Sequence, residues 1–397
     1  MNILVYPAGT EIGLEIARAL KYQKNITVYG ANSEDDHSRF YYEKIFPVPG
    51  IYDEPERAIE KLKNIIDAYN IDFLFPAHDQ VVYELSKSCI PQAIVPPRYT
   101  AEICRSKKLT YEIFKNILPV PEILANVTQF PVFCKPDCGQ GSRGTFVVRN
   151  KEELKRRSTE LVLEYLPGKE YTVDCFTDRH GKLRFCKGRE RARITNGIST
   201  RTILKDGFWD IGIKINSVLE LRGQWFFQVK ENASGEYVLM EIASRAAGAS
   251  CLTRARGVNL PLLTIYDRLG HDIIITENDI EITDRALENK YIYKYDFKNV
   301  YVDLDDTLIP INPEMIGLLY KFKKHGKEIF LLTSHKGSVL KVLKDNYICP
   351  DLFTEIYRTN KKFEYINAPA IFIDDSFMER SKVECPAFDI QQAIEIF

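Results

Sequence analysis

The 397-residue chain exceeds what one ordinary hydrophobic core supports, so two or three domains are expected; its 45% hydrophobic content is that of a globular soluble protein. A formal net charge of -1 argues against a nucleic-acid or anionic-membrane binder. No run of eighteen or more apolar residues is present, so no membrane span is expected, and the chain opens directly on an apolar strand, Asn2 to Tyr6, where a signal peptide would need a basic start.

The first hundred residues alternate strand and helix patterns. A strand at 2–6 leads through "PAGTEIG" into a helical run from Leu14 to about Tyr22. A strand from Ile26 to Tyr29 stops at Gly30, residues 55–69 have helical periodicity, and 71–76 is a short apolar strand before "AHDQ" and a helix from about Val81. This rhythm implies a parallel sheet with helices on both faces. The opening loop, Gly9 to Gly13, is a tight turn rather than a dinucleotide fingerprint.

Further along, 107–118 reads as a helix ended by Pro119 and Pro121. Strands at 131–135 and 145–149 flank a glycine-rich loop, and 151–158 is a charged helix. Strands follow at 161–165, 171–177, 183–188, 224–230 and 236–243, then an apolar helix at 258–269. Residues 282–299 are polar and rich in Lys and Tyr, the passage to a last domain. There the βα alternation resumes: strand 300–304, helix 313–325, strand 328–333, helix 336–345, strand 370–374. Nine scattered cysteines without a Cys-x-x-Cys pair, and no histidine near Cys134 and Cys138, point to reduced thiols in a cytoplasmic protein.

Two constellations carry chemistry. In "CKPDCGQGSRG", Lys135 ends an apolar strand, and Gly139, Gly141, Ser142 and Gly144 follow it. Glycines let backbone N–H groups turn toward phosphate oxygens, and the lysine adds a point charge. Downstream, apolar strands run into Glu164 and Glu241; Glu170 follows a Pro-Gly turn, and Arg245 stands four residues beyond Glu241. A carboxylate at a strand end can hold Mg²⁺ against phosphates, and an arginine can clamp a phosphate fork.

In order and spacing these motifs, over about residues 1–285, resemble the ATP-grasp superfamily, in its carbamoyl-phosphate-synthase-like, carboxylate–amine ligase branch. The resemblance implies a flavodoxin-like front domain at 1–100 and an ATP-grasp domain at 101–285. It implies that Lys107 and Lys135 bind ATP phosphates under the loop from Gly139 to Gly144, that Glu164, Tyr165 and Leu166 lie along the adenine, and that Glu170 binds the ribose. Gln228 and Glu241 would hold Mg²⁺, and Arg245 would touch the transferring phosphate. Blander readings stand beside these: Glu170 as a solvated turn residue, Gln228 as a cross-strand polar partner. Where the family usually carries Asn, two residues after the metal-binding Glu, this chain has Ala243, so that ligand is missing or is supplied by Ser244 or water. The implied reaction turns a carboxylate into an acyl phosphate that an amine attacks. Arg189, Arg191, Arg193 and Arg201, with Gly197 and Ser199 for close approach, would meet the anionic substrate. Two alternatives are a small-molecule kinase acting on a hydroxyl, and a nucleotide-binding regulatory protein with a degenerate metal site.

The second constellation is "YVDLDDTLI". On a strand, Asp303 and Asp305 point to one face, at the carboxyl edge of a parallel sheet where ligands bind. Two like charges so close need a cation or a shared proton. With Thr333 in "IFLLTSH", Lys361 and Lys362 in "NKKFEYI", and Asp374-Asp375 in "AIFIDDSF", the set resembles the haloacid-dehalogenase-like (HAD) phosphatase superfamily over 298–397, a parallel α/β domain. By that resemblance Asp303 is the nucleophile, Asp305 the acid/base and Thr333 a phosphoryl hydrogen-bond donor. Lys362, with Lys361 as rival, steadies charge, and Asp374 or Asp375 completes a Mg²⁺ site with Asp303 and Asp305. The little space after Thr307 leaves no room for a cap. The whole is thus expected to be a multidomain α/β and α+β protein using ATP and Mg²⁺. Its expected partners are a small-molecule carboxylate, an amine and a phosphorylated metabolite, without nucleic acid or membrane.

Overall fold

Strands Ile45–Pro47, Thr27–Asn32, Asn2–Tyr6 and Phe73–Pro76 lie side by side, in that order, as a parallel sheet. The computed structural model describes residues 1–139, 144–156, 160–195, 198–277, 280–284 and 295–397. It divides the chain into two compact units, Met1–Ala286 and Leu287–Phe397.

The first unit begins with that sheet. Helix Glu11–Leu20 starts three residues before the expected Leu14, because the Thr10 side chain accepts a hydrogen bond from the Gly13 N–H and caps the first turn. Helices Pro55–Tyr69 and Asp79–Lys87 follow as expected, with Ala58, Leu62, Ile66, Val81 and Leu85 buried. The Arg98–Arg105 helix was not expected; its sequence, RYTAEICR, buries only Thr100, Ala101 and Ile103.

Strands Phe146–Val148, Val132–Lys135 and Leu161–Glu164 form a small antiparallel sheet. The larger sheet has six strands in the order Tyr237–Ala243, Gly223–Glu231, Glu170–Thr177, Leu183–Thr195, Ile198–Lys205 and Ile282–Asp284. The strand expected at 183–188 therefore runs on to Thr195 and pairs with Ile198–Lys205. Its second half, "RERARIT", is too charged to announce a strand; antiparallel backbone pairing, rather than apolar alternation, sustains it. Helix Trp209–Val218 was also missed. A Cβ on Gly188 would stand 2.1 Å from the Phe208 ring, so the glycine lets the strand approach the chain just before this helix. All nine cysteines are free, and among the described residues no helix is long and apolar enough to cross a membrane.

The second unit is a five-stranded parallel sheet ordered Glu355–Arg358, Glu328–Thr333, Asn299–Asp303, Ala370–Ile373 and Ala387–Phe388. Helices Pro313–Lys324, Val339–Asp345 and Ile390–Ile396 contribute Leu319, Leu343 and Ala393 to one core with Val300, Val302 and Ile373. The two edge strands and the last helix went unread, being short or interrupted by charge. The Asp-bearing strand is central.

Candidate functional sites

In the first unit a cavity of about 580 Å³ is lined by residues from every layer. Loops of the four-stranded sheet supply Thr10, Ala77 and His78; helix Glu11–Leu20 supplies Ile12; helix Lys107–Phe114 supplies Lys107; the small sheet supplies Lys135; the large sheet supplies Glu170, Gln228 and Glu241.

Lys107 Nζ donates to the carbonyls of Asp137 (3.2 Å) and Gly139 (2.7 Å) and lies 3.9 Å from Glu241. Asp137 accepts from the Lys108 N–H at 2.7 Å and from the Ser106 hydroxyl at 2.8 Å, so the loop after Lys135 is tied to the start of the helix. Lys135 is buried, and its ammonium donates to the Tyr111 hydroxyl at 2.6 Å. Burial drives the Lys135 pKa down to about 7; Lys107 adds to that, while Glu241, Glu170 and Asp137 oppose it. Gln228 and Glu241 are register partners across adjacent strands. Two ammonium groups short of negative charge, with a carboxylate and an amide oxygen beside them, fit a polyphosphate carrying a divalent cation.

Other expected residues are placed differently. Arg189 is buried in an ion pair with Asp174 (3.0 and 3.2 Å), whose Oδ2 also accepts from Thr253 at 2.6 Å. Arg189 also lines the cavity, with its guanidinium already held by that carboxylate. Replacing it by Met should cost about 3–5 kcal/mol in urea unfolding, the penalty of stranding a buried carboxylate; a residue serving only a ligand would leave stability unchanged. Arg191 pairs with Glu170, so Glu170 is no solvated turn residue. Arg193 and Arg201 stand opposite each other across paired strands and are exposed. Gln228 donates to Thr172 at 3.2 Å, so it is a cross-strand partner as well as a cavity residue. Arg245 is held by both oxygens of Asp79, at 2.7 and 2.6 Å. Burial works against the Asp79 charge, but Arg245 outweighs it and keeps the pKa below the ordinary value. Ala243 packs with Phe226 and Ala247, an apolar contact where a metal-binding amide was expected.

Glu164, Tyr165 and Leu166 are not brought to the cavity wall: the Glu164 carboxylate accepts from the Glu122 N–H at 3.0 Å, Tyr165 is exposed and Leu166 is buried. Gly139 lines the cavity and Gly144 has φ +70. Gly141, Ser142 and Gly197 lie outside the described residues, as does the side chain of Ser199. Sequence reasoning missed Tyr111, Asp137 and Asp79; each is a polar residue of an ordinary type, visible as a site residue only through its partner.

In the second unit, single ligand oxygens of Asp303, Asp374 and Asp375 lie within 4.8 Å of one another, a set able to hold a divalent cation. Lys362 Nζ bridges Asp303 at 2.6 Å and Asp374 at 2.7 Å. Of the two candidate lysines, Lys362 is the buried one; Lys361 is exposed and pairs with Glu364. Burial pushes the Asp303 pKa up to about 6 against the pull of Lys362. Burial likewise disfavours the Lys362 charge, yet its bonds to the two aspartates hold its pKa above the usual lysine value.

Asp305 departs from expectation. The strand ends at Asp303, and the chain turns through Asp306 at φ 58, so Asp303 and Asp305 do not share a strand face. The Asp305 carboxylate is outside the cluster and meets His335 Nδ1 at 2.8 Å, with Thr333 Oγ1 at 3.5 Å. The Thr333 hydroxyl is buried and accepts from the His335 N–H at 3.0 Å. Arg380, also unforeseen, donates to the carbonyls of Asp374 (2.5 Å) and Asp375 (2.7 Å) and pins that turn.

Residues 156–289 match a family model described as ATP-grasp in the biosynthetic pathway with Ter operon. The D-alanine–D-alanine ligase of Clostridium botulinum (strain Loch Maree / Type A3) is 31% identical over 150 residues, 33% of this chain and 47% of that ligase. The chain thus spans about half the length of this curated relative. Two solved structures cover 70% of the chain at a TM-score of 0.57. One is the biotin carboxylase domain of Hydrogenobacter thermophilus 2-oxoglutarate carboxylase with MgADP, ADP and bicarbonate (17% identity, 72% of that chain). The other is N5-carboxyaminoimidazole synthetase of Staphylococcus aureus with ADP (14% identity, 79% of that chain). ATP and Mg²⁺ are the cofactors that the ATP-grasp match and the MgADP-bound biotin carboxylase domain support. The small antiparallel sheet and the six-stranded sheet are therefore the ATP-grasp fold.

Proposed function

We propose that the chain is a cytoplasmic ATP-dependent ligase that activates a carboxylate for attack by an amine, joined to a Mg²⁺-dependent phosphohydrolase. In this reading 1–100 is the front domain, 101–285 the ATP-grasp domain and 298–397 a HAD-like domain. The observation that carries the ligase half is the meeting of Lys107, Lys135, Gln228 and Glu241 in one cavity. Lys107 and Lys135 hold the phosphates, Gln228 and Glu241 hold Mg²⁺, and Arg245 is steadied by Asp79 beside the transferring group. Mg²⁺, when bound, screens phosphate charge. The protein positions two reactants and neutralises charge as it develops. Its partners are then a small carboxylic acid and an amine.

In the second unit Asp303 attacks phosphorus, the ester P–O bond breaks, and Asp305 gives a proton to the leaving oxygen. Water then attacks the aspartyl phosphate, Asp305 takes its proton, and inorganic phosphate leaves. Lys362 and Thr333 stabilise the phosphoryl oxygens, and Asp374 and Asp375 hold the cation with Asp303. The substrate is a phosphorylated metabolite.

ADP release that requires both an acid and an amine tests the ligase half. ADP release with an alcohol alone, yielding a stable phosphate ester, turns the reading to a kinase. A second reading, nucleotide binding without turnover, is favoured by the apolar packing of Ala243. The two separate on one variant: if the missing amide limits turnover, Ala243→Asn raises Mg²⁺-dependent ADP formation by about tenfold, the worth of one hydrogen bond to a charged group. An unchanged rate removes the degenerate-site reading.

A further inference from the structure

Tyr111 is a buried phenol outside the lining of the first unit's cavity, yet it touches three elements that each carry a residue of the ATP site. It sits one turn along the helix that begins at Lys107. Its oxygen accepts from Lys135 Nζ at 2.6 Å, and the same ammonium stands 5.2 Å from the centre of its ring. Its hydroxyl donates to the Met240 carbonyl at 2.8 Å, immediately before Glu241.

The direction of both bonds is set. Burial, with Glu241 and Asp137 adding to it, holds the Tyr111 pKa well above its ordinary value, so the hydroxyl keeps its proton. A carbonyl can only accept, so the proton points to Met240, and the oxygen lone pair is left for the ammonium. Lysine has a flexible four-carbon stem, and a charge on it is useful to a phosphate only if its position is fixed. Among the described residues, the Lys135 ammonium donates to this phenol.

We propose that Tyr111 is a positioning residue of the nucleotide site: it aims Lys135 and, through the Met240 carbonyl, sets the spacing between the phosphate lysine and the carboxylate of Glu241. The proposal rests on the ATP reading given above, and a double-mutant cycle separates the two. MgATP affinity is measured by calorimetry for the wild type, Tyr111→Phe, Lys135→Met and the double variant, with urea unfolding as a check of folding. The phenylalanine keeps the ring and its packing.

The expected result is about tenfold weaker MgATP binding for Tyr111→Phe, the loss of a hydrogen bond to a charged group. In the Lys135→Met background the same change should alter affinity less than twofold, since the residue it acts through is gone. Equal weakening in both backgrounds would make Tyr111 merely structural and overturn the proposal; so would unchanged affinity for Tyr111→Phe alone. If the wild type binds no MgATP, the ATP reading falls and this proposal falls with it.

Discussion

Asp303→Asn is expected to lower release of inorganic phosphate from an aryl phosphate, with Mg²⁺ present, by about four orders of magnitude, as for loss of a covalent nucleophile. An amide of the same shape cannot form the acyl phosphate, and it removes the charge that Lys362 faces. The unfolding midpoint should move far less than the rate, because one carboxylate of the buried trio is still paired. Lys362→Met should behave in the opposite manner. It leaves Asp303 and Asp374 buried without the ammonium that bridges them at 2.6 and 2.7 Å. The second unit should then lose about 3–5 kcal/mol, the cost of breaking a buried pair by removing one partner. Added Mg²⁺ should return part of that loss, because the cation supplies charge where the ammonium stood. Phosphate release by Asp303→Asn equal to wild type would end the nucleophile assignment. Insensitivity of Lys362→Met to Mg²⁺ would end the claim that these carboxylates share a cation.

Lys135, Asp303, Thr333 and Asp374 were legible because each lies at the end of an apolar strand. A run such as "FLLT" or "AIFIDD" announces a buried strand and the point where it stops, and in a parallel sheet those points converge. That logic brought Asp303, Thr333 and Asp374 together from residues far apart in the chain. It failed at Asp305, since a strand face cannot be extrapolated past the last paired residue. For the arginines of "KGRERARITNGISTR" it pointed to the cavity wall, which Arg189 and Arg191 line, but not to their ion pairs. Spacing shows that a guanidinium is available, but whether it is already spent on a buried partner such as Asp174 depends on a strand pairing that charge conceals. Tyr111 carried no signal of its own: an aromatic residue in an amphipathic helix is ordinarily core, and only the lysine at its hydroxyl says otherwise.

Lys135→Met should weaken MgATP binding by about a hundredfold, the cost of removing one partner of a buried charge pair, and should also remove a pH dependence that the wild type shows. In the free protein, burial and Lys107 bring the Lys135 pKa down to about 7, with Glu241, Glu170 and Asp137 opposing and Tyr111 hydrogen-bonded to it. A bound polyphosphate favours the ammonium and raises that pKa. Between the two values the complex carries one more proton than the free protein, so affinity falls as pH rises above about 7, by at most about tenfold per pH unit. Below about 7 the lysine is charged in both states and contributes no slope. Folding runs the other way. The unfolded chain keeps its lysine proton up to the ordinary value of 10.5, so between about 7 and 10.5 the unfolded state binds more protons and the free protein gains stability with rising pH. The thermal midpoint of the free protein and its increment on adding MgATP should therefore move in opposite directions from about pH 7 to about pH 9. In Lys135→Met both contributions vanish together, which a change in general packing would not produce.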